Sequence, residues 1–200
     1  MASRTAVELK EWVKEHRITE VECLVSDMAG IPRGKILPAG KFLASIDSQT
    51  LRLPDSVFGQ MVTGAHAETE HTTYQSPDMV LMPDPETIRI VPWYKEPTAQ
   101  VICDCYDRDG RPVAVSPRQV LKTVLTRYTE KGWKPVVAPE LEFYLSQKNL
   151  DPDYPLQPPA GKSGRPQTGR QAYGIDAVNE FDPLFEDIYA YCEQMELNVD

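Results

Sequence analysis

In Val136-Val137-Ala138-Pro139-Glu140-Leu141-Glu142-Phe143-Tyr144-Leu145 the odd positions Val137, Pro139, Leu141, Phe143 and Leu145 are all apolar. A period of two is that of a β-strand, so 133–145 is predicted as one, with Glu140 and Glu142 sharing its other face. That face either meets water, which makes both acids ordinary surface charges, or lines a cleft, as the neighbouring Val136, Ala138 and Tyr144 suggest. In a cleft, acids at i and i+2 stand about 6.5 to 7 Å apart at the backbone. Such a spacing suits two neighbouring divalent cations better than chelation of one. Hard cations such as magnesium take oxygen ligands and often bind through few carboxylates plus substrate phosphates, so a nucleotide would complete such a site.

Outward from this segment, Ser116, Pro117 and Gln119 carry the signals of a helix start, with Val120, Leu121, Val124, Leu125 and Tyr128 on one side and Gly132 as the stop. Residues 146–170 are rich in Pro and Gly without periodicity and read as a surface excursion. Asp182 and Pro183 begin a last helix through Met195, after which Leu197-Asn198-Val199-Asp200 reads as the approach to another strand. In the first half, Thr5 and Glu8 have capping-box spacing, and a helix over 5–16 places Ala6, Leu9, Trp12, Val13 and His16 on one stripe. A hairpin follows, from 20–26 through Asp27, Ala29 and Gly30 to 34–37. Residues 47–77 lack a period and read as a long loop, in a compact domain usually a functional one. The segments 79–82, 87–91, 100–106 and 113–115 are β-prone, with a turn at 107–110. The expected division is 1–112 for a helix-plus-sheet domain and 113–200 for the start of a second.

The 200 residues are 41% hydrophobic and 26% charged, a globular composition. A net charge of −9 repels phosphate backbones and anionic lipid, so neither nucleic acid nor a membrane surface is an expected partner. No apolar run approaches the roughly 20 residues of a membrane span, and the N-terminus has no leader pattern. A cytoplasmic location is expected. Four cysteines at uneven spacing predict reduced, packed thiols instead of a disulfide framework.

Several local patterns fail on inspection. Gly161-Lys162-Ser163 has the ending of a phosphate loop, but the first glycine would fall at Leu156. Asp107, Asp109 and Gly110 would need oxygen ligands where Cys105 and Ser116 stand. His66, Glu68, Glu70 and His71 read as a charged loop, not a metal centre, and Cys103 and Cys105 lack the second pair that zinc requires.

Ala138-Pro139-Glu140-Leu141-Glu142-Phe143-Tyr144-Leu145 resembles the metal-binding strand of the glutamine synthetase family, an E-x-E-F before an apolar pair. In the same order, Asp27-Met28-Ala29-Gly30-Ile31-Pro32-Arg33-Gly34-Lys35 resembles the family's early hairpin, and Ser76-Pro77-Asp78-Met79-Val80-Leu81-Met82-Pro83-Asp84 the strand before its second turn. The resemblance runs from about Val21 to Val199 and covers the family's N-terminal portion. It implies an α+β fold: a β-grasp-like N-terminal domain followed by the beginning of the family's α+β catalytic domain. It also implies that Glu140 and Glu142 hold Mg2+ (or Mn2+), with ATP as co-substrate. Asp55, in Leu53-Pro54-Asp55-Ser56-Val57-Phe58, takes the place of the aspartate that reaches a neighbouring subunit's active site and helps bind and deprotonate ammonium. Tyr173, in Tyr173-Gly174-Ile175-Asp176, falls where the family has a tyrosine near the ammonium and nucleotide pocket.

The implied activity is an ATP-dependent ligase that joins the γ-carboxylate of glutamate to an amine through γ-glutamyl phosphate, in a homo-oligomeric ring. The Glu140–Leu145 block, Leu156-Gln157-Pro158-Pro159 and the segment from Asp182 resemble the branch that uses putrescine and other polyamines; an ammonia-using enzyme and a non-catalytic or assembly relative are the alternatives. The family's other metal ligands and its phosphate-binding arginines lie beyond the matching portion, so the 200 residues alone are not expected to catalyse.

Overall fold

The computed structural model describes residues 5–67, 76–167, 169 and 171–199. They form two compact units, Met1–Pro135 and Val136–Asp200. Glu68, Glu70 and His71 of the charged loop lie outside the described residues.

The first unit opens with α1 (Ala6–Glu15), whose capping box forms: the Thr5 side chain accepts from the Glu8 N–H at 3.3 Å and Glu8 returns the bond to the Thr5 N–H. Leu9 and Val13 are buried from its stripe. The hairpin follows as β1 (Glu20–Ser26) and β2 (Pro32–Pro38), antiparallel with Cys23 opposite Lys35. Next come α2 (Ala39–Ser48), β3 (Arg52–Pro54), a 3-10 turn (Asp55–Gly59) and β4 (Asp78–Pro83). A second 3-10 turn (Pro85–Thr87), capped by Asp84, leads to β5 (Arg89–Ile90) and β6 (Thr98–Tyr106). Among the described residues the strands make one sheet ordered β2-β1-β6-β4-β3, with β5 also on β6. β1 and β6 run parallel, Val21 opposite Ala99 and Cys23 opposite Val101; the other pairs are antiparallel. A hairpin, a helix over the sheet and a parallel closing strand make this the β-grasp architecture.

Burial alternates along β6: Ala99, Val101, Cys103 and Cys105 point inward with Val21, Cys23 and Val25 of β1, Met79 and Leu81 of β4, Leu9 and Val13 of α1 and Phe42 of α2. Lys10 of α1 and Asp47 of α2 are ion-paired at the surface. The other face of β6 carries Asp104, and here α3 (Pro117–Glu130) is tied down. Arg118 Nε binds Asp104 at 2.9 Å, the same guanidinium reaches Asp84, and Lys122 also meets Asp104. Val120, Leu121, Val124 and Leu125 of α3 remain exposed.

Several expectations need correction. The loop predicted over 47–77 contains β3 and a 3-10 turn, because a three-residue edge strand is too short to show a period. The helix α2 was not anticipated, although Ala39, Phe42, Leu43 and Ile46 have helical spacing. The capping box at Ser116 does not form; its side chain is buried and hydrogen-bonded to Cys105 instead. The segment 113–115 forms no strand; the isolated bridge nearby pairs Pro112, just before it, with Tyr106. Of 87–91 only Arg89–Ile90 is extended in a ladder, since the 3-10 turn takes the residues before it.

The second unit holds α4 (Ile175–Asn179) and α5 (Asp182–Gln194). The segment 133–145 is not a strand. Among the described residues no ladder pairs with it, and Val137 and Leu141 are 85% and 90% exposed. Alternation sets which faces an extended chain presents, but a strand also needs a hydrogen-bonded neighbour.

Within the first hairpin, Asp27 is buried and its carboxylate accepts from the Ala29 and Ile31 N–H groups at 2.9 and 2.8 Å and from Arg33 Nε at 2.9 Å. Burial pushes its pKa up, but the Arg33 bond and the two backbone donors outweigh this and hold it below the ordinary value. Its contribution to stability is therefore fully present above the ordinary carboxylate pKa and is lost as pH falls through the lower folded value. Asp27→Asn should lower stability at pH 7 and flatten its fall on acidification, followed by denaturant melts from pH 7 to pH 2; an unchanged acid limb would overturn this role.

A Cβ added at Gly34 would sit 1.8 Å from the Cys23 carbonyl oxygen, so Gly34→Ala is expected to destabilise the hairpin by about 3 kcal/mol. The same melts measure this.

Cys23, Cys103 and Cys105 are buried, whereas Cys192 is partly exposed. The Cys23 hydrogen bond and then burial push Cys103 up, and burial pushes Cys105 up to about 11. Since the thiolate is the nucleophile, a thiol reagent at pH 8 should label Cys192 first and the other three only on unfolding. Equal labelling rates, read by peptide mass spectrometry, would contradict this packing.

Candidate functional site

Asp55 stands at the end of the edge strand β3, where Pro54 (φ −66°, ψ 141°) directs the chain into the 3-10 turn. Phe58, buried in the core, anchors that turn from within. The Asp55 N–H donates to the Pro77 carbonyl at 3.1 Å, and Pro54 lies opposite Asp78 across the β3–β4 pair. The Asp55 carboxylate accepts from the Ser76 hydroxyl through Oδ1. Beyond the turn, Gln60 bridges His66, and Met61 and Val62 are exposed at the tip.

In the second unit Glu140 and Glu142 are exposed on a segment without regular secondary structure, with no hydrogen bond or ion pair to other described residues. Among the described residues no three or more His, Cys, Asp or Glu side chains gather as a metal site. Two free carboxylates are nonetheless the hard oxygen donors that Mg2+ or Mn2+ takes, so they fit part of such a site. Tyr173 is fully exposed and has φ 57°, a left-handed conformation uncommon for an aromatic residue, just before α4.

The discarded Gly161-Lys162-Ser163 motif does hold an anion, the chain's own Glu180 between α4 and α5. The Ser163 N–H donates to Glu180 Oε2 at 2.9 Å, and the Lys162 N–H to the Glu180 carbonyl at 2.8 Å. The Ser163 hydroxyl first, then its N–H, hold the Glu180 carboxyl below its ordinary range against the opposing effect of burial, and the Lys162 charge adds to them. Gly161 is required there, because a Cβ would come within 2.7 Å of the Glu180 carbonyl oxygen and closer still to its side chain.

Sequence reasoning singled out Asp55 but not its partner Ser76, twenty-one positions away. No periodicity connects them; the two X-Pro and Pro-X junctions, Pro54-Asp55 and Ser76-Pro77, were the available signal that both ends are conformationally restricted.

Comparison with known proteins places these features in context. Residues 67–108 match the model of the glutamine synthetase β-grasp domain, and residues 114–200 that of the glutamine synthetase catalytic domain. A glutamate–isopropylamine ligase of a Pseudomonas species is 32% identical over 147 residues, 72% of this chain and 32% of the relative. The γ-glutamylputrescine synthetase of Escherichia coli K12 is 31% identical over 186 residues, 90% of this chain and 39% of the relative. Further relatives are named glutamine synthetases. The chain thus spans between about a third and two fifths of the length of the first two of these relatives. The solved structure of apo GmaS without ligand superposes with a TM-score of 0.63 at 17% identity, over 94% of this chain and 40% of that one, which shows the fold. Two successive family models and relatives that align along most of its length show that the chain belongs to the glutamine synthetase family.

Proposed function

We propose that the complete protein is an ATP-dependent ligase joining the γ-carboxylate of glutamate to an amine, with a polyamine such as putrescine favoured. The observation that carries this reading is the alignment of 90% of the chain with a γ-glutamylputrescine synthetase; the similarity to a glutamate–isopropylamine ligase supports an amine other than ammonia. A β-grasp domain over 1–112 would precede a catalytic domain starting at 113, in a cytoplasmic homo-oligomeric ring. Among the described residues no helix is long and apolar enough to cross a membrane.

In this mechanism a glutamate γ-carboxylate oxygen attacks the γ-phosphorus of ATP, ADP leaves, and the amine nitrogen then displaces phosphate from the acyl carbon. Glu140 and Glu142 would hold divalent cations, which supply neutralisation of phosphate charge when bound. Asp55 would attract the protonated amine at the neighbouring subunit's site and accept its proton, as an amine is a nucleophile only after deprotonation. Tyr173 would line the pocket for nucleotide and amine. The exposed alternating faces of 133–145 fit a strand completed by residues outside these 200. An ammonia-using glutamine synthetase is the second reading, favoured by the relatives of that name.

In the complete protein, Glu142→Gln should lower glutamate-dependent phosphate release by a hundredfold or more, on the order of 3 kcal/mol of transition-state stabilisation. Turnover at the parent rate would remove the metal role. Comparing ammonium, putrescine and spermidine as acceptors tests the amine, and a protein active with ammonium alone would establish the second reading.

A further inference from the structure

We infer that Ser76 is a positioning residue for Asp55, fixing one carboxylate oxygen and leaving the other for the incoming ammonium group; this rests on the amine-binding role proposed for Asp55. The Ser76 Oγ meets two groups, the Asp55 Oδ1 and the Ser56 backbone N–H, the latter at 2.8 Å. A backbone N–H can only donate, so at that contact the hydroxyl oxygen accepts. Its single hydrogen is therefore committed to the Asp55 carboxylate, which, when ionised, can only accept. The donor–acceptor order runs from the Ser56 N–H through Ser76 to Asp55, with no alternative arrangement of the hydroxyl serving both contacts.

The backbone holds this triad in place. Pro54 precedes Asp55, and the Asp55 N–H is bonded to the Pro77 carbonyl at 3.1 Å. Ser76 is itself biased towards extended backbone by the proline after it. The start of the 3-10 turn and the lead-in to β4 are thereby stitched together at three points, through side chain and main chain alike. Among the described residues Asp55 Oδ2 has no partner, so the carboxylate keeps one acceptor oxygen for a cationic donor while its rotation is set by the other. Orientation of this kind acts on amine capture, with no contact from Ser76 to the reacting atoms.

The test is steady-state phosphate release by the complete protein, with ATP and glutamate saturating and the amine, putrescine or ammonium, varied. Ser76→Ala should raise the amine KM about tenfold, the scale of one hydrogen bond to a charged group, while the KM values for ATP and glutamate stay at the parent level. Ser76→Thr should rescue the amine KM, and Ser76→Val, of the same shape without the hydroxyl, should not. In an Asp55→Asn background Ser76→Ala should add nothing further, since the two act as a unit. Should Ser76→Ala fail to fold, the Thr and Val pair decides.

A parent-like amine KM in both Ser76→Ala and Ser76→Val, with a raised one in Asp55→Asn, would overturn the Ser76 assignment and leave the ligase reading standing. A parallel rise in all three KM values would overturn it in favour of a purely structural bond. Amine-independent phosphate release by the parent protein, or an Asp55→Asn variant with parent-like amine KM, would instead remove the underlying reading and this inference with it.

Discussion

The parallel pairing of β1 with β6 constrains everything between them. Parallel neighbours cannot be joined by a tight turn, so the chain must leave the end of β1 and return to run beside it from the same side. In this protein that crossover contains the rest of the sheet: β2 is added by the hairpin on one flank, β3 and β4 on the other, and α2 covers the inner face on the way. Val21, Cys23, Ala99 and Val101 at the centre are fully buried, and the flanking strands contribute apolar side chains to the same layer. The edge position of β3 follows from this order. It is also why Asp55, which begins where β3 stops, lies at the margin of the sheet with one side of its carboxylate unpartnered among the described residues.

Elements that owe their form to local chemistry were legible in the sequence, and those that owe it to distant partners were not. Thr5 and Ser116 make the contrast clear, because both start helices and both have the right residue three positions on. Thr5 is exposed, meets no competing group and closes its box; Ser116 is buried beside Cys105, which takes the hydroxyl that the cap would have used. The hairpin, read as 20–26 and 34–37, was legible because Asp27, Ala29 and Gly30 mark its turn, which the structure ties locally through the Asp27 contacts to Ala29, Ile31 and Arg33. Helix α2 carried a readable stripe, but residues 39–46, between the predicted hairpin and the predicted loop over 47–77, were given no element. The short β3 and the 3-10 turns have no period to read, and their places are set by β4, Phe58 and Asp84.

The candidate site divides along the same line. Glu140 and Glu142 were singled out by alternation, and their identity as a pair came from likeness to a family strand; the segment that carries them has no regular secondary structure. What the pattern cannot supply is a neighbour, and without one the apolar positions Val137 and Leu141 are as exposed as the acids. Alternation alone therefore does not make a strand here, since burying Leu or Val side chains contributes about 1.5 to 3 kcal/mol each only when something covers them. The same holds for α3, anchored by Arg118 and Lys122 on its polar side while Val120 and Leu121 stay exposed.

Gly161-Lys162-Ser163 shows how a discarded motif can be right about chemistry and wrong about ligand. Consecutive backbone N–H groups after a glycine are suited to hold an anion whatever its source. A free phosphate would have to be captured from solution, whereas Glu180 is delivered by the chain within twenty residues, and its carboxylate and carbonyl occupy the donors of Ser163 and Lys162. The glycine is then needed for close approach of the Glu180 backbone, not of a nucleotide. Because the Ser163 hydroxyl and N–H hold the Glu180 carboxyl in its charged form, its removal would leave the Ser163 N–H in search of an acceptor, while the Lys162 N–H would keep the Glu180 backbone carbonyl. The segment 159–167 is thereby fixed against the junction of α4 and α5 by a carboxylate contact, in a region that has almost no apolar core to do so.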